Sequence, residues 1–108
     1  MTVEDTTRRV EPPVHPGGVL RREFLEPMGI SRYKLAKDIA VPAPRVYEII
    51  RERRSISADT ALRLSRYFGL SDGYWINMQA HYDKELAKMR SGAEIESQVK
   101  PLAASTGG

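Results

Sequence analysis

Residues 31–68 read SRYKLAKDIAVPAPRVYEIIRERRSISADTALRLSRYF, and their spacing decides the fold. Leu35, Ala36 and Ile39 share one helical face. Val46, Ile49 and Ile50 follow at i, i+3, i+4, and Ala61, Leu64 and Phe68 at i, i+3, i+7. Ser31 and Ser57 precede two of these runs, where a hydroxyl accepts from an orphan backbone N–H, and Asp59 sits near the positive end of its helix dipole. Ala40-Val41 forms the turn between the first two runs, with Val41 expected to plug the core beneath it. Pro42 opens the next helix, where a missing N–H costs nothing. Pro44 lies in the same first turn but disfavours helical geometry at Ala43, so the start slips by up to two residues. Gly69 ends the third run as a left-handed cap.

Two short helices, 31–39 and 42–51, joined by so tight a turn predict a helix-turn-helix with the second helix as reader. Its outward face carries Pro44, Glu48 and Arg51, flanked by Arg45 and Tyr47.

Working outward, residues 1–15 are polar, hold Pro12 and Pro13 and lack periodicity, which predicts a flexible arm. Pro16-Gly17-Gly18 opens a first helix over about Gly18 to Glu26. Its expected inner stripe is Leu20, Phe24 and Met28, and Pro27 with Gly29 ends it. Ser71 is expected to cap a last helix, residues 72–90. There Trp75, Met78, Tyr82, Leu86 and Met89 repeat at helical spacing over more length than a small core absorbs, which predicts a self-association surface. Residues 91–108 read as a tail, with a short helical turn at Ile95 and Val99 and disorder over the last eight residues. The predicted organisation is therefore all-α: an arm, a five-helix DNA-binding domain over 16–90 with a longer C-terminal helix, and the tail.

The chain has 108 residues, enough for one domain plus tails, and no cysteine. That excludes disulfides, cysteine nucleophiles and cysteine zinc sites, and fits a reducing cytoplasm. His15 and His81 lie far apart with no pairing motif, so no metal is expected. No apolar run approaches the roughly 18 residues of a membrane helix, and the N-terminus lacks the apolar core of a secretory signal. There is no glycine-rich phosphate loop and no nucleophile–base set. Asp83 and Glu85 read as solvated carboxylates. Neither enzymatic activity nor a cofactor is expected.

Net charge is only +3, but its distribution is uneven. Residues 31–66 hold nine basic and four acidic groups, against eight basic and ten acidic elsewhere. Positive charge concentrated on the predicted reader is the footprint of a nucleic-acid binder. A helix in the major groove meets a distinct donor–acceptor pattern at each base pair. Arg45 and Arg51 suit bidentate contact with guanine, and Glu48 suits cytosine N4. Tyr47 suits a thymine methyl or a phosphate. Ser31, Arg32 and Lys34 would lie over the backbone, at a helix N-terminus that favours phosphate. Arg53 and Arg54 would hold the opposite flank.

Four stretches carry a resemblance: HPGGVLRREFLEPMGIS (15–31), YKLAKDIAVP (33–42), ISADTALRLSRYFG (56–69) and YWINMQAHYD (74–83). Together they resemble the HigA-type antitoxins of bacterial toxin–antitoxin modules, within the Cro/CI-type helix-turn-helix superfamily. The resemblance implies a homodimer that binds a palindromic operator in double-stranded DNA and represses its own operon. It also implies a cognate toxin, an mRNA-cleaving RNase of the RelE-like fold. It maps the reader onto 31–39 and 42–51 and dimerisation onto the later helices. Ala40 stands where the family usually has glycine, and Pro44 where such readers often carry a polar side chain. These departures move base readout toward Arg45, Glu48 and Arg51. Two further readings stay open: a stand-alone helix-turn-helix regulator, and a toxin-binding module with weak DNA binding.

Overall fold

The computed structural model describes residues 12–103, and these form five helices and no strand. Helix α1 comprises three consecutive segments, Pro16–Val19, Leu20–Leu25 and Glu26–Met28. Then follow α2 (Arg32–Ile39), α3 (Ala43–Ile50), α4 (Ala58–Phe68) and α5 (Gly73–Gln98). Residues 1–11 of the predicted arm and 104–108 of the predicted tail lie outside the described residues.

Helix α1 departs from its predicted pattern for a specific reason. Its middle segment has π-type pitch, with the Glu26 N–H donating to the Arg21 carbonyl. Leu20 and Leu25, five residues apart, therefore share the inner face, while Met28 is 55% exposed. The expected Leu20/Phe24/Met28 stripe is corrected accordingly. The helix also starts earlier than predicted, because the His15 Nδ1 accepts the Gly17 N–H at 2.9 Å and Pro16 occupies the first position. Pro27 does not stop it; the chain turns at Gly29 (φ 66°).

The first four helices end alike. A residue in left-handed conformation is followed by an N–H that reaches back five residues, the Schellman arrangement that satisfies orphan carbonyls. Ile30 donates to Leu25, Val41 to Ala36, Arg53 to Glu48 and Leu70 to Ser65, at 2.7–3.1 Å. The left-handed residues are Gly29, Ala40, Glu52 and Gly69. The two that are not glycine flank α3.

Ser31 and Ser57 cap α2 and α4 as predicted, accepting from the N–H groups of Lys34 and Thr60. Ser71 does not cap α5. Asp72 holds that place in helical geometry without a side-chain bond, and Ser71 contributes its carbonyl to Tyr74.

The inner faces of α2, α3 and α4 meet over the buried side chains of Leu35, Ile39, Val46, Ile49 and Leu64, with Val41 sealing the turn as expected. Gly17 lets α1 cross α3 closely: a Cβ there would stand 1.8 Å from the Ile49 carbonyl oxygen. Trp75 is 0% exposed and packs on Phe24 with ring centroids 5.2 Å apart. It belongs to the core and cannot contribute to a self-association surface, a correction to the predicted stripe.

Helix α5 is longer than predicted, passing through Arg90 to Gln98. Ser91-Gly92 does not break it, since an interior glycine costs only about 1 kcal/mol and no proline follows until Pro101. The helix spans about 39 Å. Its first half packs on α1 and α4, and its second half leaves the bundle, giving an elongated molecule of 53 × 36 × 23 Å. Among the described residues no helix is long and apolar enough to cross a membrane.

Candidate nucleic-acid interface

Helices α2 and α3 form one surface because the turn between them is so short. Ala40 adopts φ 59°, ψ 46°, which reverses the chain in a single residue and sends Val41 inward. Pro42 caps α3, and Pro44 falls within its first turn, so neither removes a needed N–H. Burial of Val46, Ile49 and Ile50 then fixes the helix roll. Pro44, Arg45, Glu48 and Arg51 are exposed, and Tyr47 is half-buried.

Among the described residues, Arg45, Arg51 and Arg53 have no acidic partner and project freely. Arg54 does not: its Nε lies 2.7 Å from Glu48 Oε1. Both side chains are half exposed, so the pair contributes at most about 1 kcal/mol and yields readily to a phosphate or a base. Glu48 is thus partly engaged before any contact with cytosine. Tyr47 is engaged too. The Arg32 guanidinium lies 4.2 Å from its ring centroid, joining the start of α2 to the middle of α3. This cation–π contact holds Arg32 at the edge of the reader and makes Tyr47 its support.

The outer flank of α2 is braced against α4. Asp38 accepts from the Tyr67 hydroxyl at 2.6 Å and pairs with Lys34 at 2.9 Å. The Tyr67 hydrogen bond and then Lys34 hold the Asp38 carboxyl below its ordinary range, and Asp38 in turn raises both partners. Arg63 bridges Asp59 and the Ile39 carbonyl, tying the end of α2 to α4.

The rim loop after α3 carries Arg53 and Arg54. It leaves the helix through Glu52 at φ 65° and enters α4 through buried Ile56. Arg21 of α1 donates to the Ile50 carbonyl at 3.0 Å and lies 3.8 Å from Glu52, closing the end of α3 from below.

This is the geometry of a DNA reader: an exposed recognition helix, a supporting helix whose N-terminus faces outward, and a basic rim. The helix-turn-helix family profile matches residues 22–75. The chain is 53% identical over 77 residues to virulence-associated protein I of Dichelobacter nodosus, covering 71% of each chain. It is 34% identical over 90 residues to antitoxin HigA-1 of Vibrio cholerae, covering 83% of this chain and 84% of that one. The Pseudomonas aeruginosa antitoxin HigA, solved with the higBA promoter, superposes with a TM-score of 0.80 at 47% identity, covering 83% of this chain and 98% of that one.

The chain belongs to the HigA family of helix-turn-helix antitoxins.

The remaining predicted site residues of this HigA-family chain divide by burial. Ser31, Arg32 and Lys34 are exposed at the start of α2, with the Ser31 hydroxyl spent on its cap. On α5, Met78, Tyr82 and Leu86 are half-buried and Met89 is 50% exposed. Tyr82 meets His15 edge-on at 4.9 Å.

Two residues escaped the sequence reading. His15 is buried as the cap of α1. Burial pushes its pKa down, opposed by Glu52 and Asp83. Gln79 is buried on α5, where it binds the rim loop. Its signal was present: a polar residue one turn after Trp75, inside an apolar stripe.

Proposed function

We propose that this HigA-family chain is an operator-binding repressor and antitoxin, acting in the cytoplasm. As a dimer it lays α3 into successive major grooves of a palindromic operator and represses its own operon. The observation that carries this is a recognition helix presenting unpaired Arg45 and Arg51 in a chain so close to a HigA solved with promoter DNA. In this reading Arg45, Glu48 and Arg51 address base edges. Ser31, Arg32, Lys34, Arg53 and Arg54 address phosphates, and Pro44 and Tyr47 shape the surface between them. Half-sites lie about one helical turn, roughly 34 Å, or a small multiple of it apart.

The second copy meets Leu86 and Met89 on α5, with Met78 and Tyr82 at the edge of the contact. A two-fold reader matches a two-fold operator. The partner toxin is a RelE-like RNase encoded beside this gene, a reading supported by the family. The test is titration of the DNA upstream of its own gene against a scrambled duplex. Co-expression with the neighbouring reading frame then asks whether the chain is retained by that product and abolishes its mRNA cleavage. Equal affinity for both duplexes overturns the repressor reading, and unabated cleavage overturns the antitoxin reading.

A further inference from the structure

The rim loop 51–57 needs support that α3 alone does not supply. At its α3 end it is held by the Arg53 N–H bond to the Glu48 carbonyl and by the Glu48–Arg54 pair. At its α4 end the N–H of Ile56, which precedes the cap, has no helical partner. That donor is buried, and an unmet buried N–H is costly. The partner comes from α5. Gln79, 6% exposed, accepts the Ile56 N–H on its Oε1 at 2.8 Å. Its Nε2 donates to Asp83 Oδ1 at 2.9 Å.

The two bonds fix each other. An ionised carboxylate only accepts, so Asp83 takes the NH2 end of the amide and turns the carbonyl end toward Ile56. A side chain with donors only leaves the Ile56 N–H unmet, and one with acceptors only meets repulsion at Asp83. Above the lock lies a cleft of about 210 Å³ between loop and helix, walled by His15, Arg53, Arg54, Tyr82 and Leu86. Loop position therefore depends on α5.

We propose that Gln79 is a positioning residue of the DNA interface: through Ile56 it holds Arg53 and Arg54 at the height of the phosphates, with Asp83 locking its amide. The inference rests on the operator-binding reading. It makes α5 the helix that both faces the second copy and sets the rim of the reader.

Four proteins test it: the full-length wild type, Gln79→Leu, Arg53→Ala/Arg54→Ala, and Gln79→Leu in that double-alanine background. Affinity for the upstream duplex is measured across a salt series well below the melting temperature. Loss of two phosphate contacts in each protomer, four in the bound dimer, is expected to weaken Gln79→Leu at least about tenfold and to flatten its log–log salt slope by about four units. In the double-alanine background the same substitution is expected to change affinity less than about twofold, because the contacts it positions are already gone. A purely structural role moves melting temperature in both backgrounds alike and leaves the slope unchanged.

If Gln79→Leu does not fold by circular dichroism, Asp83→Ala carries the same test. It unlocks the amide without emptying the buried site, and at least about a threefold loss is expected, the equivalent of one phosphate contact in each protomer. Unchanged affinity and slope in the folded variant overturn the proposal, as does an equal loss in the double-alanine background. A wild type that binds no DNA overturns this and the operator-binding reading together. A wild type that binds, with variants that match it, overturns this inference alone.

Discussion

Gly17 and Gly18 are neighbours with opposite expected responses to alanine, and the contrast tests how α1 is set against α3. A Cβ on Gly17 would stand 1.8 Å from the Ile49 carbonyl oxygen and 2.8 Å from its carbon. Both are backbone atoms in a helix. Against the 3.0 Å floor of real Cβ contacts the shortfall is about 1.2 Å. It cannot be relieved by a rotamer, so α1 must lift from α3 and drag Leu20 and Leu25 partly out of the core. Overpacking of this kind costs roughly 1–3 kcal/mol, occasionally more. Movement at the end of α3 would also loosen the Arg21 bond to Ile50. At Gly18 the nearest atoms are the tips of Glu52 and Arg22, at 2.7 and 2.8 Å, and both swing aside. Alanine there gains up to about 1 kcal/mol of helix propensity. Urea unfolding followed by circular dichroism is expected to place Gly17→Ala well below wild type and Gly18→Ala at or above it, with similar m-values. Equal midpoints for the two variants would refute the close crossing of α1 and α3.

Other outcomes follow from single observations. Ala40→Gly relieves a left-handed residue with a Cβ, worth about 1–2 kcal/mol, less about 0.4–1 kcal/mol of added unfolded-state freedom; a melting-temperature rise of a few degrees is expected, and a fall would contradict the φ of 59°. The folded-state pKa of His15 is lowered, so its contribution to stability is complete above the ordinary histidine value of about 6.5 and is lost as pH falls below it. His15→Asn, which keeps a cap acceptor, should flatten the melting temperature between pH 7 and 5, and an unchanged slope would contradict burial as the cause. Leu86→Glu with Met89→Glu should give monomers by light scattering while helical circular dichroism is retained. Tyr82 is left alone because its ring supports His15.

What was legible in the sequence was what is local. Ser31 and Ser57 cap because the hydroxyl and its target are three residues apart, and Gly29 and Gly69 turn because their conformation is a property of one residue. The turn at Ala40-Val41 is local too, but only the resemblance, with glycine at that position, pointed to the left-handed conformation of Ala40. What was not legible depended on packing. The π-type winding that swaps Met28 for Leu25 has no local signature. One helical period cannot separate the part of a stripe that meets a core, Trp75, from the part that outruns it, Met89. The apolar repeat of α5 ends at Met89, yet the helix runs on to Gln98, because weak helix formers such as Ser91-Gly92 continue a helix already begun. Within the interface, the Arg32–Tyr47 and Glu48–Arg54 pairs join residues whose proximity exists only after folding. They place the Arg32 guanidinium over the Tyr47 ring and pair Glu48 with Arg54. Gln79 was visible as an oddity in its stripe, but its partner Ile56 lies 23 residues away.

The most direct test of the account is a titration of Arg45→Ala and Arg53→Ala against the operator and a scrambled duplex, at two salt concentrations. Arg45 projects from the recognition helix and Arg53 from its rim. Arg45→Ala is expected to lose roughly 1–3 kcal/mol on the operator and little on the scrambled duplex. Arg53→Ala should weaken both alike and flatten the salt slope by about one unit per protomer, about two for the bound dimer. If Arg45→Ala weakens both duplexes equally, α3 does not read sequence through this face and the central claim fails.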